Sequence, residues 1–306
     1  MTSAQPSPVF ADDRLLASVE AAPAVAWMRE AVVAAEEGRL YAPARASVEI
    51  GDGRLVFTAG ALSGEWFGYR SYDTFDVDPG EQVVVLQSAR SGRVTAIAIG
   101  NSLGQMRTGA LGGLAADVLA RSDANTVGIV GSGSQAWTQI WAITAIRQVE
   151  RVSVFSRTSD HAEAFAQRVR EELGVECDAV GSAEAASRHH GIVVLATNSR
   201  TPVIDPSWLT PGTHVTTVGP KQQGASEFGL DLVEAASIAV TDSLAQLHAY
   251  YPPNIVAASR HAEHVLSLGA VLATPSSAPR DDSEITLYLS VDLAGTDVYF
   301  LSRVVS

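Results

Sequence analysis

The run Thr126-Val127-Gly128-Ile129-Val130-Gly131-Ser132-Gly133-Ser134-Gln135-Ala136 constrains the fold more than any other part of this chain. Val127, Ile129 and Val130 make an apolar stretch suited to a parallel strand covered on both faces. Gly131 then permits a tight turn, Gly133 lets backbone approach a pyrophosphate, and Ala136 allows a helix to pack closely on the strand. Ala136, Ile140, Ile143 and Ile146 recur at helical spacing, and a second β-rich run follows at 152–155. The pattern predicts a β-α-β unit that holds phosphate on the free N–H groups of a helix N-terminus. Its binding residues are Gly131, Ser132, Gly133, Ser134, Gln135 and Ala136.

The end of the second strand selects among dinucleotides, because the residue there meets the adenosine ribose. Ser156 stands 25 residues beyond Gly131 and is followed by Arg157 and Thr158. A site for NAD(H) calls for a carboxylate at this point. The chain offers two hydroxyls and a guanidinium that can pair with a 2′-phosphate, so Ser156, Arg157 and Thr158 predict NADP(H) in preference to NAD(H). The competing reading of Arg157 is a solvated arginine at a strand end.

At 306 residues the chain suggests two domains. A formal net charge of −13 argues against nucleic-acid and anionic-membrane partners, since a field of that sign repels phosphate, and small anions must be held by local arginines. Cys177 is the single cysteine, which rules out an internal disulfide, makes a Cys-based metal site implausible and fits a reducing cytoplasm. The first ten residues lack a basic segment followed by an apolar one, and no 18-residue apolar run occurs, so export and membrane insertion find no support. With 46% hydrophobic and 18% charged residues, part of the apolar surface is expected in an oligomer interface.

Residues 1–10 read as loose and 15–37 as a helix closed near Gly38. Strand-like runs at 47–50, 54–58, 82–87 and 94–99, separated by Gly51-Asp52-Gly53, Pro79-Gly80 and Ser91-Gly92, predict an antiparallel sheet. A helix at 107–121 leads into the glycine turn. Beyond it, a helix at 160–173 and strands at 192–196, 214–218 and 237–241 give the order of an α/β, doubly wound Rossmann-type parallel sheet. The apolar tail, 285–305, is helix-capable from Leu287 and is expected to return to the first domain.

Leu103-Gly104-Gln105-Met106-Arg107-Thr108-Gly109-Ala110, the glycine turn and Val154-Phe155-Ser156-Arg157 together resemble the ornithine cyclodeaminase/mu-crystallin family. Further landmarks follow in the same order: Ala42-Pro43-Ala44-Arg45, Ala196-Thr197-Asn198-Ser199, Pro211-Gly212-Thr213-His214-Val215, Val218-Gly219, Thr241-Asp242-Ser243 and Glu284-Ile285-Thr286-Leu287-Tyr288. The resemblance implies a homodimer in which a dinucleotide-binding domain, 109–284, is joined to an α+β substrate-binding and dimerisation domain made of 1–108 with 285–306. It also implies NAD(P)-dependent chemistry on amino acids, cyclic imines or keto acids; mu-crystallin-like members bind NADPH and reduce cyclic ketimines. Ala196, Thr197, Asn198, Val218 and Gly219 are the residues this implies around the cofactor, with the nicotinamide near Thr197 and Gly219.

Arg45 and Arg107 fall on family arginines that grip the substrate carboxylate, a task suited to planar guanidinium forks. Arg70 stands where the family usually has lysine; it keeps the charge but cannot shuttle a proton near neutral pH. Lys221 stands where the family has an aspartate that binds the substrate amine. A like-charge pair at 4 Å costs about 4 kcal/mol at an effective dielectric of about 20, which disfavours a protonated ornithine or lysine and so cyclodeamination. Thr58 and Val56 also leave no carboxylate for a distal amine. Lys221 either acts beside the nicotinamide, where it polarises a carbonyl or imine, serves as an acid or holds a second acidic group, or is a loop lysine turned to solvent or part of an insertion that moves the aspartate's role elsewhere. Leu289 and Asp292, where relatives have lysine and glycine, suggest a reshaped pocket.

Gly100-Asn101-Ser102-Leu103-Gly104 matches a nucleophile-elbow spacing, but no oxyanion loop precedes it, and it reads better as the start of the Arg107 helix. His261 and His264 lack a third ligand pattern, so no metal is expected. His189 and His190 read as a loop or helix end, and Asp242 as a helix cap. The expected function is NADP(H)-dependent reduction of a carboxylate-bearing imine or keto acid, with Arg45, Arg70 and Arg107 holding the substrate and Lys221 and Arg70 as candidate catalytic residues. The alternatives are an amino-acid dehydrogenase, a cyclodeaminase-like lyase, and an NADPH-dependent ligand-binding protein without turnover.

Overall fold

The computed structural model describes residues 7–75, 80–274 and 281–306; residues 1–6 of the expected loose segment and Pro79 of the expected turn lie outside them. The chain divides into two compact units, Met1–Arg107 with Leu293–Ser306, and Thr108–Asp292.

The first unit is built on a seven-stranded sheet of β1 (Val9–Phe10), β2 (Leu40–Tyr41), β3 (Ala46–Ile50), β4 (Gly53–Leu62), β5 (Trp66–Asp73), β6 (Val83–Ser88) and β7 (Val94–Ile99). The order is β1-β7-β6-β5-β4-β2, with β3 also on β4. All pairs are antiparallel except β1 with β7. Strand alternation gives two faces. Val56, Thr58, Leu62, Trp66 and Arg70 are buried, and the helices Ala21–Glu36 and Thr296–Val304 pack together through an edge contact of Trp27 with Phe300 at 5.4 Å. Val48, Ile50, Phe67 and Tyr69 remain exposed.

Two expectations change here. The single helix expected over 15–37 is two, Asp12–Ser18 and Ala21–Glu36, because Val19 and Glu20 are extended and Pro23 sits in the first turn of the second, where its missing N–H costs nothing. Strand β5, which carries Arg70, was not among the expected strands. Gly100-Asn101-Ser102 opens the helix Ser102–Leu119: the Asp12 carboxylate accepts the N–H groups of Asn101 at 3.1 Å and Ser102 at 2.8 Å, a helix cap supplied from elsewhere in the unit.

The second unit carries β8 (Thr126–Val130), β9 (Arg151–Phe155), β10 (Glu176–Ala179), β11 (Ile192–Leu195), β12 (His214–Thr217), a hairpin of β13 (Lys221–Gln222) and β14 (Ala225–Ser226), then β15 (Ile238–Thr241), β16 (Val265–Ser267) and β17 (Thr286–Leu289). Its eight-stranded sheet runs β10-β9-β8-β11-β12-β17-β15-β16, every pair parallel. Strand β11 shows why its sequence is apolar throughout. Ile192 and Val194 enter one buried cluster with Ile140, Ile143 and Phe165, while Val193 and Leu195 enter another with Phe228, Leu232 and Leu247. The sheet is thus covered by helices on both faces, a doubly wound Rossmann-type architecture.

The tail corrects the expected boundary. Thr286–Leu289 is a strand between β12 and β15, so 285–292 belong to the second unit and only Leu293–Ser306 returns to the first. Four apolar or β-branched residues carry too short a pattern to separate a buried strand from a helix. No helix among the described residues is long and apolar enough to cross a membrane. Cys177 is buried, and burial pushes its thiol up to about 12, which makes it a poor nucleophile.

His190 is buried beside Gly128, and its Nδ1 has no hydrogen-bond partner among the described residues. Burial, with the nearby charges of His189 and Arg151, lowers its pKa from 6.5 to about 4. A base with a depressed pKa is neutral when folded and protonates first in the unfolded chain, so its contribution is whole above pH 6.5 and is lost as pH falls toward 4. In urea unfolding, the wild-type chain is expected to lose about 3 kcal/mol more across that window than His190→Gln. Equal losses would refute this origin.

Candidate functional site

Strand β8 ends in the glycine turn, and there the sheet order reverses: β9 lies on one side of β8 and β11 on the other. Loops leaving such strands diverge to opposite faces and open a crevice at the carboxyl ends. The crevice has a volume of about 310 Å³ and is lined by Gly131, Ser132, Gly133, Ser134 and Gln135 from the turn, Phe155, Ser156 and Arg157 from the end of β9, and Ala196, Thr197, Asn198, Ser199 and Val203 beyond β11.

Gly131 has φ +113°, and a Cβ there would lie 2.2 Å from the carbonyl oxygen of Ala196, so glycine is required both by conformation and by space. A Cβ on Gly133 would meet nothing within 4 Å, which leaves that backbone open to a ligand. Gly133 is the N-cap of the helix Ser134–Ile146 and supplies no side-chain cap. The residues present therefore fit the pyrophosphate of a dinucleotide, with helix N–H groups and the dipole directed at the negative charge. Of the expected cofactor residues, Ala136 is fully buried behind the turn, Thr158 is the exposed N-cap of Ser159–Leu173, and Val218 and Gly219 follow β12; none of these four lines the crevice.

The first unit brings the three expected arginines into one connected set. Arg107, 2% exposed, donates Nε to Oδ1 of Asp297 at 3.1 Å and Nη2 to Oδ2 at 3.3 Å. Arg70 reaches the same carboxylate through Nη1 at 3.4 Å and donates Nε to Oε1 of Gln82 at 2.8 Å. Its guanidinium lies 4.3 Å from the centre of the Tyr72 ring, and the Tyr72 hydroxyl accepts Nη1 of Arg45 at 2.9 Å. A Cβ on Gly104 would come within 3.4 Å of Arg70 Nη2, so the missing side chain makes room for a head group larger than an ammonium. Arg70 and Arg107 share the Asp297 carboxylate, and Arg45 joins them through Tyr72.

Tyr72, Gln82 and Asp297 were not anticipated. A signal existed for Asp297, a lone charge within the apolar run from Leu293 to Leu301.

Lys221 is 2% exposed, which corrects the reading of a loop lysine turned to solvent. Its ammonium is folded back onto its own loop, donating to the carbonyls of Gly219 at 2.6 Å and Val218 at 3.2 Å, so it is not turned to solvent, and it is not among the crevice-lining residues. Nearby, the fully buried Glu227 carboxylate accepts the Thr197 N–H at 2.9 Å and hydroxyl at 2.8 Å on Oε2, and the Gly219 N–H at 2.6 Å on Oε1. Burial raises the pKa of Glu227; the charge of Lys221 and the three donors oppose that rise. Asp242 is not the expected helix cap. Ser243 caps Leu244–His248 by accepting the Gln246 N–H, while Asp242 accepts the N–H groups of Val291 at 2.8 Å and Asp292 at 3.0 Å. Asp292 has φ +83°, the left-handed conformation that glycine adopts most readily.

The sequence profile of the ornithine cyclodeaminase/mu-crystallin family matches residues 23–306. A Delta(1)-pyrroline-2-carboxylate reductase of Bacillus cereus is 33% identical over 224 residues, covering 71% of this chain and 67% of its own length. An alanine dehydrogenase of Archaeoglobus fulgidus is 30% identical over 306 residues, covering 94% of this chain and 92% of its own. Among solved structures, Thermococcus litoralis Delta(1)-pyrroline-2-carboxylate reductase in complex with NADH and L-proline has a TM-score of 0.89 at 25% identity, covering 97% of this chain and 95% of that one. A profile match running from residue 23 to residue 306 takes in both units, and this chain belongs to the ornithine cyclodeaminase/mu-crystallin family.

Proposed function

We propose that this protein is an NAD(P)H-dependent reductase of a small carboxylate-bearing imine, with NADP(H) the preferred carrier. The observation that carries the substrate half is the arginine set: Arg45, Arg70 and Arg107, joined through Tyr72 and Asp297, supply donors for one carboxylate in a chain whose overall charge is −13. The Bacillus cereus and Thermococcus litoralis relatives, named for a cyclic imino acid, support an imine as the other half of the substrate.

When bound, the nicotinamide supplies the hydride. The chain's own residues bind and orient: the glycine turn holds the pyrophosphate, Ser156 and Arg157 meet the adenosine ribose, and Thr197 and Asn198 lie toward the other end of the crevice. Arg70, always charged, binds and polarises but transfers no proton, so it is proposed as a substrate-binding rather than an acid–base group. Exposed Arg157 and the absence of a carboxylate at 156–158 support the 2′-phosphate. The exposed Val48, Ile50, Phe67 and Tyr69 support pairing of two copies through this sheet face, and a cytoplasmic enzyme is the accompanying proposal. A second reading, oxidative deamination of an amino acid, is favoured by the alanine dehydrogenase relative, which matches over nearly the whole chain.

Reduced-nicotinamide consumption should be followed with Δ1-pyrroline-2-carboxylate, with pyruvate plus ammonium, and with ornithine. Turnover of the cyclic imine is expected. Ammonia release from ornithine, or ligand-induced stabilisation without any oxidation of the carrier, would overturn the proposal. Arg45→Ala is expected to raise KM for the imine about ten- to 100-fold through loss of a charge-assisted hydrogen bond, with a smaller change in kcat. Arg157→Asp is expected to shift the NADPH/NADH ratio of kcat/KM at least about tenfold toward NADH; an unchanged ratio would place the discrimination elsewhere.

A further inference from the structure

We propose that Glu227, braced by Lys221, is a positioning residue that fixes the Thr197 hydroxyl as an acceptor for the carboxamide N–H₂ of the nicotinamide. This rests on the cofactor reading above and adds to it the residues that discriminate at the reactive end of the carrier.

The argument begins with hydrogen-bond capacity. A threonine hydroxyl has one proton and two lone pairs. The single proton of Thr197 is given to Oε2 of Glu227 at 2.8 Å, and one lone pair takes the Ser199 N–H at 3.1 Å. Toward any ligand in the crevice, whose wall includes both Thr197 and Ser199, that hydroxyl can only accept. Glu227 enforces this because both its oxygens already receive backbone N–H groups, from Thr197 at 2.9 Å and Gly219 at 2.6 Å, an arrangement that a carboxylate satisfies.

Lys221 completes the device on the opposite side of the same peptide segment. Its ammonium holds the Val218 and Gly219 carbonyls while Glu227 holds the Gly219 N–H, so the Gly219 residue is gripped at both its polar groups by opposite charges. The packing admits no slack: a Cβ on Gly219 would lie 2.2 Å from the Thr197 carbonyl oxygen and 2.4 Å from Glu227 Oε2. Glu227 also ties the loops through its backbone, donating to the Pro220 carbonyl and accepting the Val203 N–H, both at 2.9 Å. The loops after β11 and β12 are therefore set by one buried pair. The adenosine end of the crevice lies at β9, so a dinucleotide laid across the β8/β11 reversal carries its nicotinamide toward the β11 side.

The test is equilibrium binding by calorimetry, with no turnover required. Three ligands are compared: NADPH, its analogue with a carboxylate in place of the carboxamide, and adenosine 2′,5′-bisphosphate. Wild-type protein is expected to bind NADPH at least about tenfold more tightly than the carboxylate analogue, which offers no N–H to an acceptor. Glu227→Gln and Lys221→Met are expected to erase that preference while binding the bisphosphate as wild type does, and Lys221→Arg to restore part of it. Parallel loss of all three ligands with lowered Tm would reduce Glu227 to a merely structural role and overturn the proposal, as would variants that keep the wild-type preference. Wild-type protein that binds neither NADPH nor NADH, nor the bisphosphate, would overturn the cofactor reading itself, and this inference with it.

Discussion

A carboxylate that is 1% exposed, Asp297, is what lets the first unit keep two guanidiniums buried together. Removing Arg70 and Arg107 from water is expensive, and placing two guanidiniums side by side adds repulsion; a shared counter-charge with bidentate geometry offsets both. Asp297 is placed by the helix Thr296–Val304, whose Val298, Phe300 and Leu301 are buried in the apolar core, each contributing about 1.5–3 kcal/mol. The geometry of the arginine set is thereby tied to ordinary hydrophobic packing. A loosened terminal helix would misalign the arginines without touching them.

The second unit solves a related problem with opposite means. At the glycine turn its crevice presents backbone N–H groups rather than side-chain charge, so no cation has to be desolvated there, and the Arg157 cation stays exposed at the end of β9. The charged pair Lys221 and Glu227 lies behind this surface and spends its hydrogen bonds on the peptide groups of Val218, Gly219 and Thr197.

The parts legible in the sequence were those with a local cause. Strands β8, β9 and β11 and the glycine turn announce themselves through unbroken apolar runs and a backbone constraint only glycine meets. Long-range causes were hidden. The split of the first helix depends on two extended residues, and β5 is broken in composition by Gly68 and Arg70, whose burial follows from the neighbouring strands rather than from pattern. Thr286–Leu289 reads equally well as helix because its partners, β12 and β15, are distant in sequence. Likewise Arg45, Arg70 and Arg107 could be named through family motifs, but Tyr72, Gln82 and Asp297, which join them, carry no motif. Lys221 was visible as a departure; its fold onto two carbonyls was not.

The placement of β17 also governs how the molecule must be made. Between β12 and β15 the sheet has a slot that only residues 286–289 fill, and the first unit likewise waits for the helix Thr296–Val304. During vectorial synthesis both sheets exist with raw, unpaired edges or an uncovered face until residues 286–304 emerge. A nascent chain in that condition is a template for intermolecular pairing. Loss of residues 286–304 would therefore expose two interiors at once.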